Sequence, residues 1–121
     1  MKTISFDRIV ETAARLCREA ACRLPLDVLS AIETAAESEE SRLGRSVLQQ
    51  YLENADIAKD DEAPICQDTG SAVYLIELGN QVVIEGGTLE QAVNKGTAQG
   101  YEQGFLRKSI VDDPVFGRVN T

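Results

Sequence analysis

The chain has 121 residues, 43% apolar and 26% charged, enough for one hydrophobic core and too apolar for a disordered segment. A net charge of −8 argues against a nucleic-acid binder, which needs clustered Lys and Arg. The absence of histidine removes Cys–His and Ser–His–Asp nucleophile systems and most zinc sites.

Apolar residues at three- and four-residue steps predict a first helix over roughly Phe6 to Leu24, stopped by Pro25. A second is expected to start at an Asp27 N-cap and run through Leu29, Ile32 and Ala36. A third carries Leu43, Val47, Leu48, Tyr51 and Leu52 and fades near Asn54. The acidic Lys59-Asp60-Asp61-Glu62 stretch reads as a solvated loop leading into Ala63-Pro64-Ile65-Cys66-Gln67-Asp68-Thr69-Gly70. Beyond it, Ala72–Leu78 and Gln81–Glu85 are β-rich runs around Gly79-Asn80, the pattern of a hairpin. Thr88 with Gln91 forms a capping-box signature opening a helix to about Phe105. On that helix Gly96, Gly100 and Gly104 stand four apart. They mark either a face against which something packs closely or a frayed, flexible helix. The expected fold is α+β and predominantly helical: three N-terminal helices, a short hairpin and a glycine-faced helix. The expected boundaries are a helical region at 1–58, a loop at 59–71, the hairpin at 72–87, a helix at 88–106 and a final segment at 107–121.

No apolar run approaches the roughly 20 residues of a membrane span, and the start lacks the apolar region of a signal peptide. A cytoplasmic location is expected. Three irregularly spaced cysteines do not form a secreted disulfide framework. Cys17 and Cys22 lie about 140° apart around the first helix by the 3.6-residue repeat, and both read as small core residues. Cys66, in an irregular polar loop, is open to three readings: structural, a reactive thiol or a metal ligand. A reactive or redox-sensing thiol needs a neighbouring cation or base, and the nearest charged residue in sequence is Asp68, an anion. Thiolates suit iron–sulfur centres, but one cysteine cannot hold a cluster. Arg107 and Lys108 either complement a helix C-terminus or, for the arginine, grip a carboxylate with two parallel hydrogen bonds.

The order "YLENA", "PICQDTG", "LRKSIVDDP" and "RVNT" resembles the class I, iron–sulfur-dependent fumarate hydratases and their tartrate dehydratase relatives, at the start of the alpha subunit or alpha region. The resemblance spans nearly the whole chain, and the Cys66-Gln67-Asp68-Thr69-Gly70 motif is its most specific part. It implies a reversible hydro-lyase acting on fumarate, malate, tartrate or a similar dicarboxylate. A 4Fe–4S cluster would be held by three cysteines, with Cys66 matching the first, and its open iron would act as a Lewis acid. Gln67 and Asp68 match pocket-lining positions, Asp68 with a part in proton handling. Arg107 matches an arginine that binds a substrate carboxylate. The resemblance further implies a beta subunit or beta region as partner, within a homo- or hetero-oligomer. The other two cluster cysteines of the family lie downstream of Thr121. The chain is therefore expected to be an N-terminal piece of a longer enzyme, inactive by itself and without a cluster of its own. The alternative is a free-standing, non-catalytic helical interaction module derived from this family.

Overall fold

A computed structural model describes residues 1–120. The last residue of the 107–121 segment, Thr121, lies outside the described residues. The elements in chain order are β1 (Lys2–Ser5), α1 (Phe6–Cys22), α2 (Leu26–Ser38), α3 (Arg42–Asp60), β2 (Val82–Glu85) and α4 (Leu89–Gln103). The predominantly helical α+β architecture expected from the sequence is present.

Each helix starts where local chemistry permits. Ser5 caps α1 and Ser41 caps α3, each hydroxyl accepting a first-turn backbone N–H. At α4 the capping box closes in both directions, Gln91 N–H to Thr88 Oγ1 at 3.2 Å and Thr88 N–H to Gln91 Oε1 at 3.1 Å. The second helix departs from expectation. Its N-cap is Pro25, with no side-chain cap, and Asp27 sits inside the first turn. There its carboxylate complements the positive end of the helix dipole. The first helix ends two residues before Leu24, because a residue preceding proline disfavours helical angles and the chain leaves extended from Arg23. The third runs past Asn54 to Asp60.

The helices pack as two pairs, α1 on α4 and α2 on α3. The α1–α4 contact is unusually close. A Cβ built on Gly96 would stand 2.5 Å from the Val10 carbonyl oxygen and 2.6 Å from Ala13 Cβ. One on Gly100 would stand 2.7 Å from the Ala14 oxygen. The glycine face therefore serves close packing, and the flexible-helix reading falls. The buried residues match this geometry. Val10, Ala13, Ala14, Cys17, Cys22, Ala92 and Leu106 line the α1–α4 side and Ala36, Ala55 and Ala58 the α2–α3 side, most of them small.

The hairpin does not form. A turn closes at Gly79, whose carbonyl accepts the Val82 N–H at 3.1 Å. β2, however, pairs in parallel with β1, with Lys2 opposite Val82 and Ser5 opposite Glu85. Residues 72–78 pair with no strand. The physical reason is an anchor: the Tyr74 hydroxyl is drawn into the α1–α4 interface, which holds its segment away from β2. The region 1–58 thus holds a strand as well as helices.

Gly96→Ala and Gly100→Ala are each expected to lower stability in urea unfolding by about 1–3 kcal/mol, because the obstructing atoms are mainly backbone. Gly44→Ala meets only the movable Glu39 side chain and is expected to be neutral or to gain up to about 1 kcal/mol.

Candidate functional site

Two helix ends deliver the two halves of the site. At the end of α3 the Ala63 N–H bonds the Ala58 carbonyl at 3.0 Å, with Glu62 left-handed at φ 51°. At the end of α4 the Leu106 N–H bonds the Tyr101 carbonyl at 2.9 Å, with Phe105 left-handed at φ 53°. Both are six-to-one Schellman-type closures that turn the chain sharply out of the helix. The first leads into Cys66 and the second into Arg107. A non-glycine residue in this conformation is uncommon and costs on the order of 1–2 kcal/mol. Each is held by the surrounding bonds.

The cysteine loop is pinned from beneath. Ile65 donates its N–H to the Ala21 carbonyl at 2.9 Å, and Asn54 Nδ2 donates to the Ile65 carbonyl at 2.9 Å. Cys66 is exposed, and its Sγ accepts the Asp68 N–H at 3.4 Å. Tyr101 Oη donates to the Gly70 carbonyl at 3.3 Å.

Two bonds then stitch the loop to the segment after α4. Thr69 Oγ1 donates to the Arg107 carbonyl at 2.9 Å, and Ser109 Oγ donates to Asp68 Oδ1 at 3.2 Å. Beyond Ser109 the chain doubles back through a Val111–Asn120 bridge, and Asn120 Nδ2 donates to the Lys108 carbonyl at 2.6 Å. The Asp113 carboxylate accepts the Phe116 and Val115 N–H groups, which lower its pKa below the ordinary 3.8.

Cys66, Gln67, Asp68 and Arg107 are all exposed. Cys66 and Asp68 line a cleft of about 680 Å³ together with Leu16, Cys17, Tyr74 and Leu106. Gln67 and Arg107 stand outside that lining, and the Arg107 guanidinium makes no bond with any described residue. The cleft walls are largely apolar, and no Lys or Arg is among the residues that line it.

Cys17 and Cys22 are buried, as expected of core residues. The Cys17 thiol and the Tyr74 hydroxyl are 2.8 Å apart, and Tyr74 also meets Thr97 Oγ1 at 2.9 Å. Burial pushes the Tyr74 phenol up to about 12, helped by Cys17 and opposed by the Thr97 bond. Burial also raises Cys22, with Glu62 adding to the effect and Arg23 and Arg18 opposing it. Among the described residues no group of three or more Cys, Asp or Glu is gathered to hold a metal ion. Cys66 fits a single thiolate ligand; the chain's own donor set does not fit a complete 4Fe–4S cluster.

Thr69, Ser109, Asn54 and Tyr101 hold the site together without any role expected of them from the sequence. Thr69 and Ser109 belong to the "PICQDTG" and "LRKSIVDDP" stretches, but their partners are 38 and 41 residues away. Asn54 reads only as the point where the third helix fades, and its bond to the Ile65 carbonyl 11 residues on leaves no signal there.

The pattern of the fumarate hydratase (Fumerase) family matches residues 10–121. The chain belongs to that family. It is 31% identical over 105 residues to the "Putative L(+)-tartrate dehydratase subunit alpha" of Methanocaldococcus jannaschii, covering 86% of this chain and 37% of that protein. It is 27% identical over 123 aligned positions to the L(+)-tartrate dehydratase subunit alpha of Escherichia coli K12, covering 99% of this chain and 39% of that protein. The chain thus spans less than two fifths of the length of these curated relatives. Among the described residues of this Fumerase-family chain, no helix is long and apolar enough to cross a membrane.

Thr69→Val, which removes the bond between the two halves, is expected to cost about 0.5–1.5 kcal/mol in urea unfolding. It should also speed amide exchange over 66–70 and 107–109. Tyr74 generates a pH prediction. Its folded pKa lies above the ordinary 10.0, so its contribution is intact below pH 10 and is lost as pH rises toward about 12. Urea midpoints should fall across that window, and Tyr74→Phe should flatten the fall.

Proposed function

We propose that this chain is the N-terminal part of the alpha subunit of a cytoplasmic iron–sulfur hydro-lyase that reversibly adds water to a dicarboxylic acid such as fumarate. The observation that carries the reading is the stitched pair of segments: Thr69 to Arg107 and Ser109 to Asp68 hold the cysteine loop and the arginine segment together. Family membership and the relatives' names support it. So do three unpaired cysteines, two of them buried, which suit a reducing compartment.

In this reading Cys66 supplies one thiolate to a 4Fe–4S cluster whose other ligands come from polypeptide beyond this chain. When bound, the cluster supplies Lewis acidity toward the substrate's hydroxyl and carboxylate oxygens. The chain's own residues do the rest of its share. The Asp68 N–H directed at Cys66 Sγ is the kind of hydrogen bond that tunes cluster potentials. Ser109 fixes the Asp68 carboxylate through one oxygen, leaving the other for a proton of the leaving water. The unpaired Arg107 guanidinium is available for a bidentate grip on a substrate carboxylate, with the Gln67 amide exposed beside Cys66. A beta subunit or beta region completes the pocket, and the chain alone is inactive.

The test uses a polypeptide extended to the relatives' length, combined with a beta partner and reconstituted without oxygen. Iron and sulfide content, the cluster's spectroscopic signature, and turnover of fumarate, malate and tartrate are measured. Cys66→Ser is expected to abolish both cluster and turnover. Arg107→Ala is expected to raise KM by about 10- to 100-fold, the loss of a charge-assisted pair of roughly 1.5–3 kcal/mol. A Cys66→Ser protein with full cluster and full turnover would refute the site assignment.

A further inference from the structure

Residues 72–78 read Ala-Val-Tyr-Leu-Ile-Glu-Leu, a near-continuous apolar run of the kind found in strands covered on both faces. Here only Tyr74 is half-buried, and Ile76 and Leu78 on the same face are 48% and 52% exposed. Tyr74 is bonded into the α1–α4 interface, while its neighbours Val73 and Leu75 are 82% and 99% exposed. The backbone of 71–78 makes no hydrogen bond with any described residue. A groove of about 600 Å³ lies between this segment and β1, floored by Ile9, Ala13 and Val93 and walled by Ile4, Ile76 and Leu78. Its long apolar trough, with unpaired backbone along one side, has the chemistry of a strand acceptor rather than of a small-molecule pocket.

The surface of the whole chain says how much is missing. A compact monomer of 13.2 kDa should expose about 6,400 Å². This chain exposes 9255 Å². The excess has the size of an obligate interface rather than a transient contact. The relatives hold more than half of their length beyond the region matched here. A covalently attached segment meets the groove at high effective concentration. A second copy would bring another charge of −8 against the first.

We infer that the groove between β1 and residues 74–78 receives an extended apolar strand from the remainder of the longer alpha-subunit polypeptide, which pairs with the free backbone of 72–78. The inference rests on the reading of this chain as part of such a subunit, but not on its catalytic activity. It assigns the 72–78 run its strand role, with a partner remote in sequence in place of β2.

Hydrogen–deuterium exchange tests it on the 121-residue chain and on the polypeptide at its native length in its own cells. Amides of 73–78 are expected to exchange at least about 100-fold more slowly in the longer protein. Leu75→Lys should leave the unfolding midpoint of the 121-residue chain unchanged, because Leu75 touches solvent there. In the longer protein it should abolish the added protection. Equal exchange in both proteins overturns the inference, as does a native product that ends at 121 residues. Protection that rises with concentration in the 121-residue chain means a second copy fills the groove and also overturns it. Protection in a longer protein that shows no hydro-lyase turnover upholds the inference while the catalytic reading falls. Turnover without protection does the reverse.

Discussion

The structure depends on how closely α1 approaches α4. Two glycines on α4 let its backbone touch the Val10 and Ala14 carbonyls of α1, so the two helices meet almost without intervening side chains. A contact made of Ala, Gly and Cys gains little from the burial of large apolar side chains. It gains from close packing over a long seam and from the exactness of its geometry. That closeness fixes what surrounds it. The seam leaves just enough space at one edge for the Tyr74 hydroxyl between Cys17 and Thr97, which ties the 72–78 run to the helices. It also sets where α4 ends, and so where Leu106 is buried and Arg107 emerges beside the cysteine loop.

What the sequence revealed follows from the range of each interaction. Capping at Ser5, Ser41 and Thr88 acts over three residues, so the starts of α1, α3 and α4 are written locally. The glycine spacing on α4 is equally local, and its meaning as a close face was readable, although the identity of the partner helix was not. The hairpin misled because Gly79-Asn80 does make a turn, and turn chemistry says nothing about which strand follows it. The true partner of β2 is Lys2–Ser5, about 80 residues away, a four-residue strand with a single buried-side isoleucine. Such a strand carries no pattern long enough to recognise.

The candidate site divides along the same line. Cys66, Gln67 and Asp68 form one local motif, and the resemblance located them together with Arg107. Their relative placement depends on Thr69 and Ser109, whose bonds join residues some forty positions apart. A hydroxyl in a polar loop looks the same in sequence whether it faces water or a carbonyl on another segment. Burial of the α1 cysteines was legible from the helical stripe. The thiol contact to Tyr74 was not, because it requires knowing that a β-prone segment is drawn against α1.

The exposed site and the open groove share one condition, contact with water. An arginine–carboxylate pair four ångströms apart in bulk water is worth only about 1 kcal/mol, and roughly four times that where the effective dielectric falls to about 20. Arg107 stands in solvent here, so in the proposed reading it lacks the low dielectric that would make its grip on a carboxylate strong. The backbone of 72–78 and its outward apolar side chains stand in the same condition, and on the inference drawn above one added layer would cover them. A strand seated beside 72–78 would extend the wall behind Tyr74 and Leu75, both of which also line the cleft that holds Cys66. Covering one would therefore also help to dry the other. Sheet completion and the electrostatics of the site would then be a single event, in which an added layer would exclude water from groups that this chain has already placed.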